Sequence, residues 1–266
     1  MNIKWGYIGM KKILFFIIFF FCVAALVFLS VRKYEERKKD VAFRNEINSY
    51  LYNRGEGEGN FPGNEFWESY GYPIHRNIIT TVFWVGEKAD EDNGHIANSM
   101  SAWDSKWEEH FGGVDDPEER EGLLPDAFTP DENPFYFALP YNDFTDEGKR
   151  KTEVFSLAGW TDGAEFSDGE SLLKNRWIRI EKNGRSAFAQ WEDIGPFEED
   201  DADYVFGGDP PKNTEGKIAG LDVSPAVRDY LGIGGVETVD WQFVEEEDVP
   251  DGPWKKIITK SQVYRN

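Results

Sequence analysis

Residues 176–191, RWIRIEKNGRSAFAQW, constrain the fold more than any other stretch of the chain. Ile178 and Ile180 alternate with Trp177, Arg179 and Glu181, the period of two that a half-buried strand requires. Asn183-Gly184 follows, and both residue types tolerate positive φ, so the pair suits the two central positions of a type I′ turn. A return strand is predicted over 186–191.

Other stretches carry similar signals. Residues 77–86, NIITTVFWVG, are rich in β-branched and aromatic side chains and end at Gly. Residues 134–140, PFYFALP, form another candidate strand, and 238–244, TVDWQFV, a closing one. One helix is clearly marked: Ser224 is placed to cap it, Pro225 suits its first position and Gly232 stands just past its end. Ala226, Val227 and Tyr230 give that helix an apolar face. Many strands with one or two short helices imply a mainly β fold, a small barrel. Residues 90–131 are polar, with a helix predicted over 101–110, and 141–173 are Gly-rich and acidic. Both segments read as insertions on one rim of the barrel.

Near the N-terminus, residues 13–31 carry no charge, and Ser30 is their only polar side chain. Nineteen helical residues span about 28 Å, close to the hydrocarbon core of a bilayer. The exit, Phe28-Leu29-Ser30-Val31-Arg32, lacks the small residues of a cleavage site. Residues 1–33 are therefore predicted to form an uncleaved membrane anchor. Residues 34–75 follow as a juxtamembrane segment and linker, GEGEGNFPGNE at 55–65 being rich in Gly and acid. The folded domain is predicted over 76–266. Lys4, Lys11 and Lys12 precede the apolar run, and Arg32, Lys33, Arg37, Lys38 and Lys39 follow it. That count alone favours a cytoplasmic C-terminal domain.

The charge is unevenly spread. The net charge is -21, yet residues 76–266 alone hold 42 acidic and 19 basic side chains. Such a domain repels phosphate backbones and anionic lipid surfaces, so nucleic acid is not an expected partner. Cys22, the lone cysteine, lies in the apolar run, which leaves no disulfide and no Cys-based metal site. His75, His95 and His110 lack ligand-like spacing. The acidic run at 90–94 fails the calcium-loop pattern, because Ala89 and Met100 fall at the first and last ligand positions. No metal or cofactor is expected.

The stretch KNRWIRIEKNGRSAFAQWEDIGPF, residues 174–197, resembles the barrel of the rare lipoprotein A family. There a strand, an Asn-Gly-Arg hairpin and a second strand lead to a loop with Asp, Gly and Pro, here Asp193-Ile194-Gly195-Pro196. Ile194 stands where the family usually has Arg. GLDVSPAVRDYLGI, residues 220–233, resembles the family's strand ending in Asp-Leu-Ser with its following helix and Gly. Expansins and family 45 endoglucanases carry a related Asp at that point. Upstream, TTVFWVG resembles the first strand, and Phe137-Ala138-Leu139-Pro140 resembles a Thr-Leu-Pro segment. The resemblance covers 78–86, 135–140 and 174–244. The family's usual active-site His has no counterpart, and Tyr136 sits near its place. The resemblance implies a six-stranded double-psi β-barrel on the outer side of the membrane, with cell-wall glycan or another polysaccharide as its partner. It implies either a lytic transglycosylase or glycoside hydrolase, or a non-catalytic, expansin-like polysaccharide-binding module.

Cleaving a glycosidic bond requires an acid for the leaving oxygen, and inverting hydrolysis adds a second carboxylate. Asp193 is the first choice as acid, since it follows an apolar strand and precedes Gly-Pro, where burial would raise its pKa. Asp222 is the second carboxylate, and each Asp has an alternative reading as an organiser of its loop. Glu87 closes the first strand, and Asp104 lies in Ser-Ala-Trp-Asp, similar to a Tyr-Trp-Asp of family 45 endoglucanases. Trp84, Trp103, Trp107 and Trp191, with Tyr136, are candidate stacking faces for sugar rings. Core packing is the competing reading for each aromatic.

Overall fold

A computed structural model describes residues 4–52, 71–91, 93–161, 166–214 and 218–262, with side chains in the first helix described from Phe19 onward. The chain divides into two units, Met1–Glu46 and Ile47–Asn266. Helix α1 (Lys4–Tyr52) supplies the described residues of the first, and its end, from Ile47 to Tyr52, belongs to the second. No proline interrupts the helix, and pairs one turn apart support its polar half, Arg32–Glu36 at 2.8 Å and Arg44–Asp40 at 3.3 Å. The predicted anchor, 13–31, falls within this helix, and the side chains of 13–18 lie outside the described residues. Among the described residues no helix is long and apolar enough to cross a membrane. The predicted linker at 55–65 also lies outside the described residues.

The second unit is mainly β. Six strands close into a barrel: β1 (His75–Val82), β4 (Tyr136–Leu139), β5 (Trp177–Lys182), β6 (Arg185–Ile194), β7 (Leu221–Val223) and β8 (Glu237–Val244). A two-stranded ribbon, β2 (Arg120–Glu121) and β3 (Leu124–Pro125), lies in the segment between β1 and β4. Around the barrel the order is β1-β7-β4-β6-β5-β8. Neighbours β1/β7 and β4/β6 run parallel, and the other four pairs are antiparallel. Exchanging the first three barrel strands (β1, β4, β5) for the last three (β6, β7, β8) returns the same neighbours with the same directions. The connectivity thus has an internal twofold character, and closure leaves no barrel edge unpaired.

The local signals translate directly into this architecture. Asn183 (φ 52) and Gly184 (φ 80) make the turn between β5 and β6, whose register runs from Lys182↔Arg185 to Trp177↔Gln190. Ser224 caps the helix Pro225–Leu231 by accepting from Val227 N, and Gly232 ends it in the left-handed region. The helix predicted over 101–110 is shorter, Trp107–Phe111. Ser101 and Asp104 spend their side chains on local turns instead: Ser101 Oγ accepts from Asp104 N at 3.0 Å, and Asp104 Oδ1 from Lys106 N at 2.8 Å.

Strand β6 is buried along both faces. Aromatic contacts hold one of them: Phe137 stacks on Trp191 with ring centroids 5.8 Å apart, and Trp191 meets Phe243 at the same distance. On the other face Ala138 packs in a cluster with Phe83, Val85, Trp107, Phe111 and Tyr136. Several buried charged groups are paired. Arg120 bonds Asp115 and Asp229, Tyr136 donates to Asp115 at 2.9 Å, and Lys174 meets Glu192 at 2.6 Å.

Candidate active site

The site is set by a break in strand register. Phe137 pairs with Trp191, but the next residue, Ala138, pairs with Asp193, so Glu192 is bulged out of the β4/β6 ladder. Without the bulge, Trp191 and Asp193 would share a face, as residues two apart in a strand do. With it, Trp191 stays with Phe137 on the aromatic side and Asp193 turns to the other. Glu192 goes to Lys174.

Strand β7 supplies the second carboxylate. Asp222 pairs with Thr81 on β1 and with Ala138 on β4, so Thr81, Asp222, Ala138 and Asp193 form one transverse row. Thr81 donates its hydroxyl to Asp222 Oδ1. Glu87 arrives from the rim. After β1 the chain turns at Gly86 (φ 78), where an added Cβ would come within 2.8 Å of Val114 Cγ2. Glu87 N then bonds Trp84 O at 3.1 Å, and Asn98 Nδ2 donates to Glu87 Oε2 at 2.8 Å.

Asp193, Asp222 and Glu87 line one pocket of about 430 Å³, within the usual range for small-ligand sites. Trp84, Ile194, Phe197, Ile96 and Val236 supply apolar wall. Gly195 (φ 146) closes the pocket beside Asp222, and a Cβ there would lie 3.5 Å from Asp222 Oδ2.

Asp193 is only 7% exposed. Its Oδ1 accepts from Ala102 N and Ile194 N, both at 2.8 Å, and neither of these bonds occupies Oδ2. Burial pushes its carboxyl up to about 7, against these two N–H donations and helped by the charge of Asp222. Burial also pushes Glu87 up to about 7, where Asp222 again adds repulsion, and Asp222 up to about 6, which the Thr81 hydroxyl partly offsets. Three carboxyl groups thus titrate near neutrality in one cavity, the arrangement from which acid and base roles are drawn.

Of the residues singled out from sequence, the pocket gathers Asp193, Asp222, Glu87 and Trp84. The others lie elsewhere. Asp104 is fully buried, with Oδ2 on His110 Nδ1 at 2.7 Å. Trp103 packs edge-on against Trp191, and Trp107 against Tyr136, all four rings being buried. Tyr136 donates to Asp115 and accepts from Val85 N at 3.1 Å, so its hydroxyl is fully occupied inside. As stacking faces for a ligand, these four aromatics are corrected to core. A large indole or phenol ring contributes more by burial here than at a wall. Thr81, Asn98 and Phe197 were missed. The first is brought in by a parallel pairing some 140 residues distant, for which the sequence has no local signal.

The chain matches no protein-family model and no curated protein sequence.

Proposed function

We propose that the barrel is a double-psi β-barrel whose pocket acts on cell-wall glycan, with Asp193 as general acid and Asp222 as the partnering carboxylate. The observation that carries this reading is the convergence of Asp193, Asp222 and Glu87 in one pocket with an indole wall. Asp193 has the requirements of an acid: it is buried, anchored through Oδ1, and has a second oxygen that these bonds leave open. A pKa of about 7 keeps a proton available at neutral pH. The twofold strand order is compatible with the double-psi assignment. In this reading residues 13–31 hold the domain at the outer face of the cell membrane.

The reaction class is a lytic transglycosylase or a glycoside hydrolase. The purified protein is incubated with isolated peptidoglycan, and the soluble products are analysed by mass spectrometry. Anhydro-sugar ends identify a transglycosylase and reducing ends a hydrolase. A non-catalytic, expansin-like binding module is the second reading. It is favoured by the hydrogen bonds of Asp193, which also fix the 101–104 turn and give that carboxylate a structural task. No products, together with saturable sedimentation on the glycan, would select it.

A further inference from the structure

The pocket has a charge character that glycan binding alone does not require. Glu87, Asp90, Asp193 and Asp222 all line it, and among the described residues none of those lining it is Lys, Arg or His. Two of the acids are nearly buried, Asp193 at 7% and Glu87 at 8% exposure, so a cation entering the pocket meets them with little screening and favours their ionised forms. Bonds to the protein occupy only part of this acceptor capacity: on Asp193 both fall on one oxygen, Oδ1. Beside the acids stand the indole of Trp84 and the ring of Phe197. Carboxylates and aromatic faces together are the two groups that attract an ammonium.

Resting on the glycan reading above, we propose that the pocket selects a stretch of glycan whose amino sugars carry free amines, in preference to N-acetylated or carboxylate-bearing units. A protonated amine gains both the carboxylates and the rings. An N-acetyl group brings a neutral amide and a methyl group, which gain little from either charge. A sugar bearing a carboxylate meets like charges in a poorly screened cavity and is repelled.

The test is calorimetric titration of the full-length protein in detergent with a β-1,4-linked glucosamine tetramer and with its fully N-acetylated counterpart. At low salt the free-amine tetramer is expected to bind at least tenfold more tightly, and the ratio should shrink as NaCl is raised. Glu87→Gln should cut that ratio by about fivefold or more, while Glu87→Asp, which keeps the charge, should largely retain it. The wild-type comparison stands even if the Gln variant fails to fold. Equal or tighter binding of the N-acetylated tetramer overturns the charge selection and leaves the glycan reading intact. Binding of neither tetramer, with no action on peptidoglycan, overturns both.

Discussion

Asp193 and Asp222 sit two strands apart in a single transverse row of the barrel, with only the methyl group of Ala138 between them. Strand spacing of about 4.8 Å puts their backbones roughly 9.6 Å apart. In the proposed hydrolysis, carboxyl groups mounted on backbones this far apart would leave room for a water molecule between them. The row owes its chemistry to the bulge at Glu192, since an unbroken ladder would turn Asp193 to the side that Trp191 occupies.

Two substitutions at Asp193 separate chemistry from architecture. Asp193→Asn keeps an oxygen for Ala102 N and Ile194 N but has no proton to deliver. Turnover should fall by about 10²–10⁴ with binding nearly unchanged. Asp193→Ala leaves both N–H groups without their acceptor, which costs about 1–3 kcal/mol for each buried donor left unsatisfied. It should lower the unfolding midpoint as well as the rate. Product formation and thermal melts of the two variants provide the check. Turnover that survives Asp193→Asn would move the acid role to Asp222.

Thr81 offers a finer control. Its hydroxyl bonds the charged form of Asp222 and so holds that pKa down. Thr81→Val preserves the shape but removes the donor, so Asp222 should titrate higher than about 6. If Asp222 acts as base, the acidic limb of the pH–rate profile moves to higher pH, and the alkaline limb stays in place. A carbon-13 titration of the Asp222 carboxyl gives the same readout without activity. An unmoved Asp222 in Thr81→Val would remove Thr81 from the mechanism.

The sequence revealed local features and missed non-local ones. The Asn183-Gly184 hairpin, the Ser224 cap and the pairing of a strand with the Pro225 helix are written in adjacent residues, and each has its expected geometry. Asp193, Asp222 and Glu87 were legible as strand-end acids, and the pocket gathers all three. The bulge was not legible, because one extra residue in a ladder shows only when the partner strand is known. Because of the bulge, Trp191, a candidate stacking face by sequence, is turned away from Asp193 and into the core. The same blindness hid the Thr81–Asp222 contact, which depends on a parallel pairing of β1 with β7.

Membrane placement is tested by fusions. If residues 13–31 anchor the chain with the barrel outside, alkaline phosphatase joined after Asn266 should be active in intact cells. A cytoplasmic reporter at the same point should be silent. The positive charges from Arg32 to Lys39 favour the opposite orientation, so the experiment sets two physical arguments against each other. An active cytoplasmic reporter would reverse the orientation and remove cell-wall glycan from reach of the pocket.

Stability should also depend on pH in a direction fixed by these carboxyl groups. Asp193 and Glu87 have folded pKa values of about 7, well above the ordinary carboxylate range of the unfolded chain. Between those limits the native state binds more protons than the unfolded state, so stability falls as pH rises through 7. From pH 6.5 to pH 8 each group of this kind loses about 0.8 kcal/mol, roughly 1.5 kcal/mol for the two. At about 2–4 °C per kcal/mol for a domain of this size, the melting midpoint should drop by about 3–6 °C. Glu192, also raised to about 7 by burial, acts in the same direction. Below pH 6.5 the buried His75 opposes the trend. Burial lowers it to about 4, so the unfolded state takes up its proton first, but this single proton offsets only part of those held in the native state by Asp193, Glu87 and Glu192. A thermal melt series should therefore show a midpoint that rises continuously from pH 8 down to about pH 5. Asp193→Asn should flatten the slope between pH 6.5 and pH 8, because an amide has no proton to lose. A slope of the same size in that variant would mean that Asp193 is not among the groups titrating there.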